Sequence, residues 1–363
     1  MSERRIIISG GGTAGHLFPA LAVGQKLKEK DPDLRLIYVG GRRALEKTIM
    51  NHHQAEFISL SIEGLKGQGL KIIKSLLLLP FSLFKSLFIL LRLKPELVIG
   101  VGGYSSGPIV LLASWLKKPT LIMEQNLRPG FTNRLLIPWV RKAVVAFAGS
   151  LPYFKGKGTL IGNPVREEFY SQMPKERNSR LSILVFGGSQ GSHFLNQSLV
   201  SSLPYLKVRK DQLRIFHQTG KQDLKWVKEN YEVSGFKDVV VEPFFFDMPR
   251  YFQESDIVIS RAGATTIAEL IAAQKASLLV PFSKATDNHQ VLNAQELERI
   301  QAAEVILEEE FNPEYFASKI LDFAEDRGKI RAMEKNLEAL KKEDVAEKIA
   351  SLCLELMEPT QKD

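Results

Sequence analysis

The stretch Asp256-Ile-Val-Ile-Ser260-Arg261-Ala-Gly263-Ala264-Thr265-Thr266-Ile-Ala-Glu269 determines how the rest of the chain is interpreted. Its apolar run, Ile257 to Ile259, is typical of a buried parallel strand, and a turn of small residues precedes a helix predicted from Thr266 to Ala273. Such a turn directs backbone N–H groups and the positive end of a helix dipole at one place, which suits a phosphate or diphosphate. Glu269 is one turn into the helix, where a carboxylate can accept hydrogen bonds from ribose hydroxyls. The pattern favours a nucleotide site, although an ordinary strand-to-helix turn shares these local features.

The composition is that of a globular protein from a reducing compartment. The 363 residues, 44% of them hydrophobic, can bury two cores of ordinary domain size. Cys353 is the single cysteine of the sequence, so no internal disulfide can form, and the first residues do not have the pattern of a cleavable signal. We therefore expect a cytoplasmic protein.

Charge is distributed unevenly along the chain. Residues 1–165 carry 23 Lys and Arg against 9 Asp and Glu, a net charge of +14, and the remainder of the chain is at −6. A basic half favours nucleic acid or an anionic membrane surface, and the sign of the charge does not choose between them.

A glycine-rich turn also lies near the N-terminus. Arg5 to Ser9 predicts a strand, Gly10 to His16 predicts the turn, and a helix with Pro19 in its first turn follows. Successive N–H groups of such a turn can form an anion-binding nest. A dinucleotide site would require an acidic residue after the second strand, where Arg42 and Arg43 stand instead. Arginines can accept a 2′-phosphate, so an NADP enzyme stays open as an alternative.

The segment from Lys66 to Lys94 is both apolar and basic. Leu76 to Leu91 is almost continuously apolar, but it is too short, and too interrupted by Pro80 and Lys85, to predict a membrane span. Basic residues lie on both sides of this run and within it, as in segments that lie in a membrane interface. These basic residues are Lys66, Lys71, Lys74, Lys85, Arg92 and Lys94. The alternative is a helix pair in the core of the first domain, and part of the run must serve that role. We expect residues 66–94 to bind an anionic membrane surface, and the candidates for insertion are Leu79, Phe81, Phe84 and Phe88.

Strands and helices alternate through both halves, which predicts two parallel α/β sheets. Further strands are predicted at residues 36–39, 97–101, 120–123 and 143–147, and, after a restart at 181–186, at 213–217, 239–241, 257–259 and 278–280. The polar turns after these strands should meet at the carboxyl edge of each sheet. We predict two Rossmann-like domains facing a cleft, residues 1–163 and 164–342, joined by a polar segment that ends near Arg180. A C-terminal helix at about 343–363 can pack back on the first domain.

Seven segments, taken in order, resemble one family. They are Gly10–His16 with Pro19–Ala22, Gly102-Gly103-Tyr104, Glu124-Gln125-Asn126, Gly162–Arg166, Gly187–Gly191, Ser260–Ala264 and Asp287–Ala294. The family comprises the bacterial transferases that move N-acetylglucosamine from UDP-N-acetylglucosamine onto undecaprenyl-pyrophosphoryl-N-acetylmuramoyl-pentapeptide, which makes the last lipid-linked precursor of peptidoglycan. The resemblance covers nearly the whole chain. It implies the glycosyltransferase B fold, an inverting mechanism at the cytoplasmic face of the cell membrane, and no cofactor or tightly bound metal, although a divalent cation can associate with the diphosphate.

The resemblance also implies roles for individual residues and the partners they meet. Ala264, Thr265 and Thr266 would contact the diphosphate and sugar of the donor, Glu269 the ribose, Phe245 the uracil through its backbone, Ser189 and Arg166 the diphosphate region, and Gln290 the sugar. Thr13, Ala14, Gly15 and Asn126 would approach the donor sugar from the N-terminal domain, where the pyrophosphate of the acceptor also sits. The implied partners are UDP-N-acetylglucosamine and the polyprenyl-pyrophosphate-linked muramoyl-pentapeptide, without nucleic acid.

Inverting transfer requires a base for the acceptor hydroxyl and stabilisation of the charge on departing UDP. His16 is one candidate base, because an imidazole has a near-neutral pKa, and Glu124 is the other. The charge on UDP would be stabilised by the helix N-terminus at Thr265 and Thr266 and by Arg166. Two alternatives remain: a transferase of the same fold that glycosylates another lipid, and a lipid-surface protein without turnover.

Overall fold

The computed structural model describes residues 3–60, 70–170, 180–285 and 288–358; Lys66 and Asp287 lie outside the described residues. The chain forms two compact units, one of residues 1–166 with 343–363 and one of residues 167–342. Each unit is built on its own sheet of parallel strands flanked by helices, as the alternating pattern predicts.

The sheet of the first unit contains seven strands among the described residues. They are β1 (Arg5–Gly10), β2 (Arg35–Gly40), β3 (Phe57–Ser59), β4 (Leu97–Gly102), β5 (Thr120–Glu124), β6 (Lys142–Val145) and β7 (Gly158–Leu160). They pair in the order β3-β2-β1-β4-β5-β6-β7, so the strand order reverses between β1 and β4. That reversal aligns Gly10 with Gly102 and brings two glycine-rich turns together at the carboxyl edge, where ligands of open α/β sheets bind.

Five helices of the first unit precede the linker in the described part of the chain. They are α1 (Ala14–Lys30), α2 (Ala44–His52), α3 (Leu70–Leu93), α4 (Ser106–Trp115) and α5 (Phe131–Leu136). The prediction for Pro19 is wrong, because Thr13 is the N-cap and α1 begins at Ala14, which places Pro19 beyond the first turn. Helix α3 continues through Pro80 as one element instead of the helix pair considered above. Among the residues described, no helix has both the length and the apolar character needed to span a membrane.

The second unit repeats the architecture with different lengths. Its described strands are β8 (Leu181–Phe186), β9 (Leu213–Gln218), β10 (Val239–Glu242), β11 (Ile257–Ser260), β12 (Ser277–Leu279) and β13 (Ala303–Val305), and its helices are α6 (His193–Leu206), α7 (Leu224–Ser234), α8 (Met248–Glu254), α9 (Ala264–Ala272), α10 (His289–Arg299), α11 (Pro313–Glu325) and α12 (Arg327–Glu338). The strand order is β10-β9-β8-β11-β12-β13, which reverses between β8 and β11. The turns after β8 and β11 therefore lie side by side.

The C-terminal helix α13 (Val345–Met357) belongs to the first unit and packs against α1. Lys30 Nζ lies 2.6 Å from Glu347 Oε1, and Cys353 is buried in the contact. The boundary between the units follows Arg166, three residues later than the sequence suggests. At this boundary the Arg166 guanidinium lies 4.3 Å from the ring centroid of Phe18 on α1, a contact within the first unit.

Candidate active site

His16 lies at the carboxyl edge of the first sheet, as the third residue of α1. Its Nδ1 is 3.0 Å from the carbonyl oxygen of Gly11. A carbonyl only accepts, so Nδ1 carries the proton and Nε2 retains its lone pair. Gly102, with a φ of +99°, lies next to the Nε2 side of the imidazole, because a Cβ built on Gly102 would be 3.0 Å from His16 Nε2. Burial lowers the pKa of His16 against the opposing effect of the Gly11 bond, so the imidazole is neutral at pH 7.

Glu46, which the sequence analysis missed, holds the first glycine turn. Its buried carboxylate accepts the N–H of Gly12 at 2.8 Å and the N–H of Gly41 at 2.6 Å. The Arg43 guanidinium donates to the Gly12 carbonyl, so this arginine after β2 also holds the turn. The signal in the sequence was an acidic residue in the first turn of the helix after Gly40-Gly41.

Glu124 is the last residue of β5, and its carboxylate is directed into the loop that follows. Oε1 accepts from the backbone N–H of Asn126 (3.0 Å) and from Asn126 Nδ2 (3.1 Å). Oε2 accepts from the N–H of Gly130 (2.9 Å) and from Asn133 Nδ2 (2.8 Å). Burial raises the pKa of Glu124, and the four N–H bonds oppose that rise. The geometry makes Glu124 the organiser of the β5–α5 loop.

At the second edge, the predicted strand, turn and helix form as β11 and α9, but the helix begins at Ala264. Its first turn consists of Ala264, Thr265 and Thr266 and contains no acidic side chain that would compete with an anion at the positive end of the dipole. Glu269 lies one turn further along α9 and is buried. A diphosphate at the helix N-terminus would leave Glu269 to bind hydroxyl groups rather than the anion.

Arg261 is a buried cation, and its hydrogen bonds hold the segments around the β11–α9 turn. Its Nη2 lies 2.6 Å from Glu308 Oε1, its Nη1 donates to the Val280 carbonyl at 3.0 Å, and its Nε donates to Ser192 Oγ at 3.0 Å. Ser192 is the N-cap of α6, so one guanidinium joins the turns after β8, β11 and β12. The pairing of Arg261 with Glu308 leaves the pair neutral.

Gln290 and Phe245 complete the second edge. Gln290 is the second residue of α10, and its Oε1 accepts the N–H of Phe282 at 3.0 Å, which leaves its NH₂ group as the donor toward a ligand. The ring of Phe245 is buried and stacks on Tyr251 with centroids 3.8 Å apart. Phe245 therefore presents its backbone rather than its ring at the edge of the sheet.

The structure thus divides the residues that the sequence predicts for the site. The first unit carries Thr13, Ala14, Gly15, His16, Glu124, Asn126 and Arg166, and the second carries Ser189, Phe245, Ala264, Thr265, Thr266, Glu269 and Gln290. Across the described residues, no group of three or more His, Cys, Asp or Glu side chains could hold a metal ion, and the expectation of a metal-free mechanism stays a prediction.

Comparison with known proteins agrees with this architecture. The sequence matches the glycosyltransferase family 28 N-terminal domain over residues 6–145 and the glycosyltransferase family 28 C-terminal domain over residues 182–349. A relative from Myxococcus xanthus, a UDP-N-acetylglucosamine--N-acetylmuramyl-(pentapeptide) pyrophosphoryl-undecaprenol N-acetylglucosamine transferase, is 39% identical over 98% of this chain and 94% of its own length. A protein of the same name from Desulfotalea psychrophila is 39% identical over 98% of this chain and 97% of its own length.

A solved structure supports the same relationship. The crystal structure of Acinetobacter baumannii MurG superposes with a TM-score of 0.75 at 26% identity, over 97% of this chain and 99% of that one. The predicted glycosyltransferase B fold is confirmed. The NADP alternative is wrong, because the domains matched are those of glycosyltransferases.

Proposed function

This chain belongs to glycosyltransferase family 28, and we propose that it transfers N-acetylglucosamine from UDP-N-acetylglucosamine to undecaprenyl-pyrophosphoryl-N-acetylmuramoyl-pentapeptide. The observation that carries the proposal is the identity of 39% over nearly the full length with transferases of that name. The product is the disaccharide lipid precursor of the bacterial cell wall. The chemistry of both sheet edges supports this assignment.

The donor nucleotide binds to the second unit. The N-terminus of α9, with Thr265 and Thr266 in its first turn, receives the diphosphate, and Glu269 accepts hydrogen bonds from the ribose hydroxyls. The NH₂ group of Gln290, oriented by its bond to the Phe282 N–H, donates to the sugar. As UDP departs, the negative charge that develops on its diphosphate is stabilised by the same helix N-terminus.

His16 is the base. Its Nε2 takes the proton of the acceptor hydroxyl as the hydroxyl oxygen attacks the anomeric carbon, and the bond from that carbon to the UDP oxygen breaks with inversion. The bond from Nδ1 to the Gly11 carbonyl fixes the required tautomer and stabilises the imidazolium that forms. Glu124 is the weaker candidate, because both of its oxygens already accept two N–H bonds from its own loop.

The membrane-bound acceptor is reached through α3. Four large apolar side chains at helical spacing are exposed to solvent: Phe81 (75%), Phe84 (73%), Phe88 (56%) and Leu91 (56%). The opposite face is buried in the first unit, with Ser86, Ile89 and Leu90 pointing into the core. The buried face thus serves the core of the first unit, and the exposed face is the one that we propose for the membrane surface. An exposed aromatic stripe on a basic unit suits the cytoplasmic surface of an anionic membrane, where the protein binds peripherally.

Two further observations refine the docking surface. Lys85 donates to the carbonyl of Ser59 at 2.6 Å, so this cation serves the fold, while Arg92 and Lys94 are exposed at the end of α3. Trp115 and Trp139 form an exposed edge-to-face pair with centroids 6.0 Å apart, and α4, which carries Trp115, packs beside α3. Tryptophan favours the interface between lipid and water.

The decisive experiment follows labelled N-acetylglucosamine from UDP-N-acetylglucosamine to a short-chain analogue of the lipid acceptor. We expect transfer that depends on the muramoyl-pentapeptide portion. Transfer only to a different lipid would favour the other transferase considered above, and nucleotide binding without any transfer would favour a protein without turnover.

A further inference from the structure

Three loops meet at the carboxyl edge of the second sheet, around β8 and β9. They are residues 187–191, 219–220 and 243–245. Gly191 and Gly220 have φ values of +77° and +79°, and a Cβ on Gly191 would lie 2.1 Å from the carbonyl oxygen of Thr219. The first two loops are therefore in direct backbone contact. The second loop is joined to the third by the Gly220 N–H, which donates to the carbonyl of Pro243 at 3.2 Å.

One buried side chain connects the two outer loops. Gln218, the last residue of β9, is 1% exposed. Its Nε2 donates to the carbonyl of Gly188 at 3.0 Å, and its Oε1 accepts the N–H of Phe245 at 2.7 Å. The carbonyl requires a donor and the N–H requires an acceptor, so the two partners together fix the orientation of the amide.

We propose that Gln218 is a positioning residue that sets the distance between the diphosphate and base subsites of the donor. The inference rests on the proposed function and on two roles that the family resemblance implies, those of Ser189, within residues 187–191, in the diphosphate region and of the Phe245 backbone at the uracil. A nucleotide engages both loops at once, so its affinity depends on their spacing. A ligand that reaches one loop depends only on the local geometry of that loop.

The chemistry of the position favours glutamine over its neighbours in size. An apolar side chain would leave the half-buried Gly188 carbonyl and the buried Phe245 N–H without these partners. A carboxylate would still accept from Phe245, but it would place a negative oxygen against the Gly188 carbonyl and beside the diphosphate region. A neutral amide satisfies both loops and adds no charge to an anion site.

The test compares the intact protein with its Gln218→Met variant, which keeps the side-chain volume and removes both hydrogen bonds. Calorimetry measures binding of UDP, uridine and inorganic pyrophosphate. We expect UDP to bind about ten- to thirty-fold more weakly, the effect of two lost hydrogen bonds, and uridine and pyrophosphate to change less than about three-fold. The KM for the donor should rise more than kcat falls.

Two more variants separate positioning from general stability. Gln218→Glu keeps the acceptor for Phe245 and loses the donor to Gly188, so it should weaken UDP binding at least as much. Tyr231→Phe removes a buried bond of 3.0 Å to His217, the residue before Gln218 on β9, and should lower the melting temperature with UDP affinity unchanged.

The outcomes distinguish this inference from the function on which it rests. If the unsubstituted protein binds no UDP, both are overturned. If it binds UDP, and Gln218→Met either binds UDP equally well or weakens all three ligands by one factor, the positioning role alone is overturned. Should Gln218→Met fail to fold, Gln218→Glu decides by the same comparison.

Discussion

The carboxyl edges of the two sheets share a topology but are held together by groups of different charge. In the first unit the organisers are buried carboxylates: Glu46 holds the turn at Gly12, and Glu124 holds the β5–α5 loop. In the second unit the neutral amide of Gln218 performs that task, and the carboxylate of Glu308 is paired with Arg261. A fixed anion beside a turn disfavours a phosphate there, and a neutral organiser does not. Of the two edges, the second is therefore the better place for the proposed donor diphosphate.

Among the substitutions considered, removal of the His16 imidazole at the first edge is expected to have the largest effect. His16→Ala should lower kcat by about 100- to 10,000-fold, the usual contribution of a general base, with the KM for the donor nearly unchanged. In its proposed role as base, the neutral imidazole of His16 is the active form, and burial lowers the pKa of this imidazole. The rate of the unsubstituted enzyme should therefore persist below pH 6.5 and fall only as the pH drops through the lowered pKa, and this acid limb should flatten in the variant.

Steady-state rates from pH 5 to 8 measure both effects. His52→Ala is the matched control, because His52 is an exposed histidine on α2 of the same unit. If His16→Ala retains more than about a tenth of kcat, the role of base passes to Glu124 or to solvent.

The second largest effect should come from Glu269, at the other edge. Glu269→Ala removes a buried acceptor for the ribose hydroxyls, and a hydrogen bond to a charged group contributes enough that UDP-N-acetylglucosamine should bind about ten- to hundred-fold more weakly. Calorimetry measures the affinity, and a thermal melt reports whether the fold is intact. Equal affinity in the two proteins would remove Glu269 from the donor site.

Glu46→Gln tests whether the organiser of the first edge acts on the fold alone. The substitution turns an amide NH₂ toward one of the two N–H groups that Glu46 accepts, so the free energy of unfolding should fall by about 1–3 kcal/mol. UDP affinity should stay the same. Urea denaturation and calorimetry give the two quantities. Glu96→Gln, at an exposed ion pair with Arg4, should cost less than about 1 kcal/mol. A loss of UDP affinity in Glu46→Gln would contradict the prediction that Glu46 affects only the stability of the fold.

The local sequence pattern predicts the sheets well but does not predict the side chains that hold the loops together, such as Glu46 and Gln218. The central strands β8 and β11 follow from the apolar runs at residues 181–186 and 257–259, whereas β3, β7 and β13 have three residues each and no distinct pattern. That the polar turns meet at one edge of each sheet follows from topology, because parallel strands place their carboxyl ends together, whereas the roles of single residues come from the family resemblance. Glu46 and Gln218 could not be found in this way. Glu46 is 34 residues from Gly12, and Gln218 is 30 from Gly188, so only the folded chain reveals the contacts.

The smallest expected effect concerns the charge difference between residues 1–165 and the remainder of the chain. Residues 1–165 carry +14 and expose the aromatic stripe of α3, and the remainder of the chain is at −6. Phe81→Ser with Phe84→Ser should weaken binding to anionic vesicles by several-fold to about ten-fold, because each basic residue near the surface still contributes about 1 kcal/mol. The matched control is Val233→Ser, which removes an exposed apolar side chain, 88% accessible, from the second unit.

Sedimentation with anionic and neutral vesicles at low and high salt separates the electrostatic contribution of the basic residues from the contribution of the apolar side chains. Raised salt should weaken vesicle binding of the unsubstituted protein and of the double phenylalanine variant, because salt screens the cations. The variant should lose the apolar contribution to binding, which salt does not remove. The Val233 control should bind like the unsubstituted protein, since Val233 lies on the second unit, where residues 167–342 carry 23 Lys and Arg against 26 Asp and Glu, a net charge of −3 that an anionic surface does not attract. Binding that ignores lipid charge, salt and both phenylalanines would contradict the membrane role of α3. It would also leave the exposed stripe to a protein partner, because a stripe of this kind is costly to leave in water.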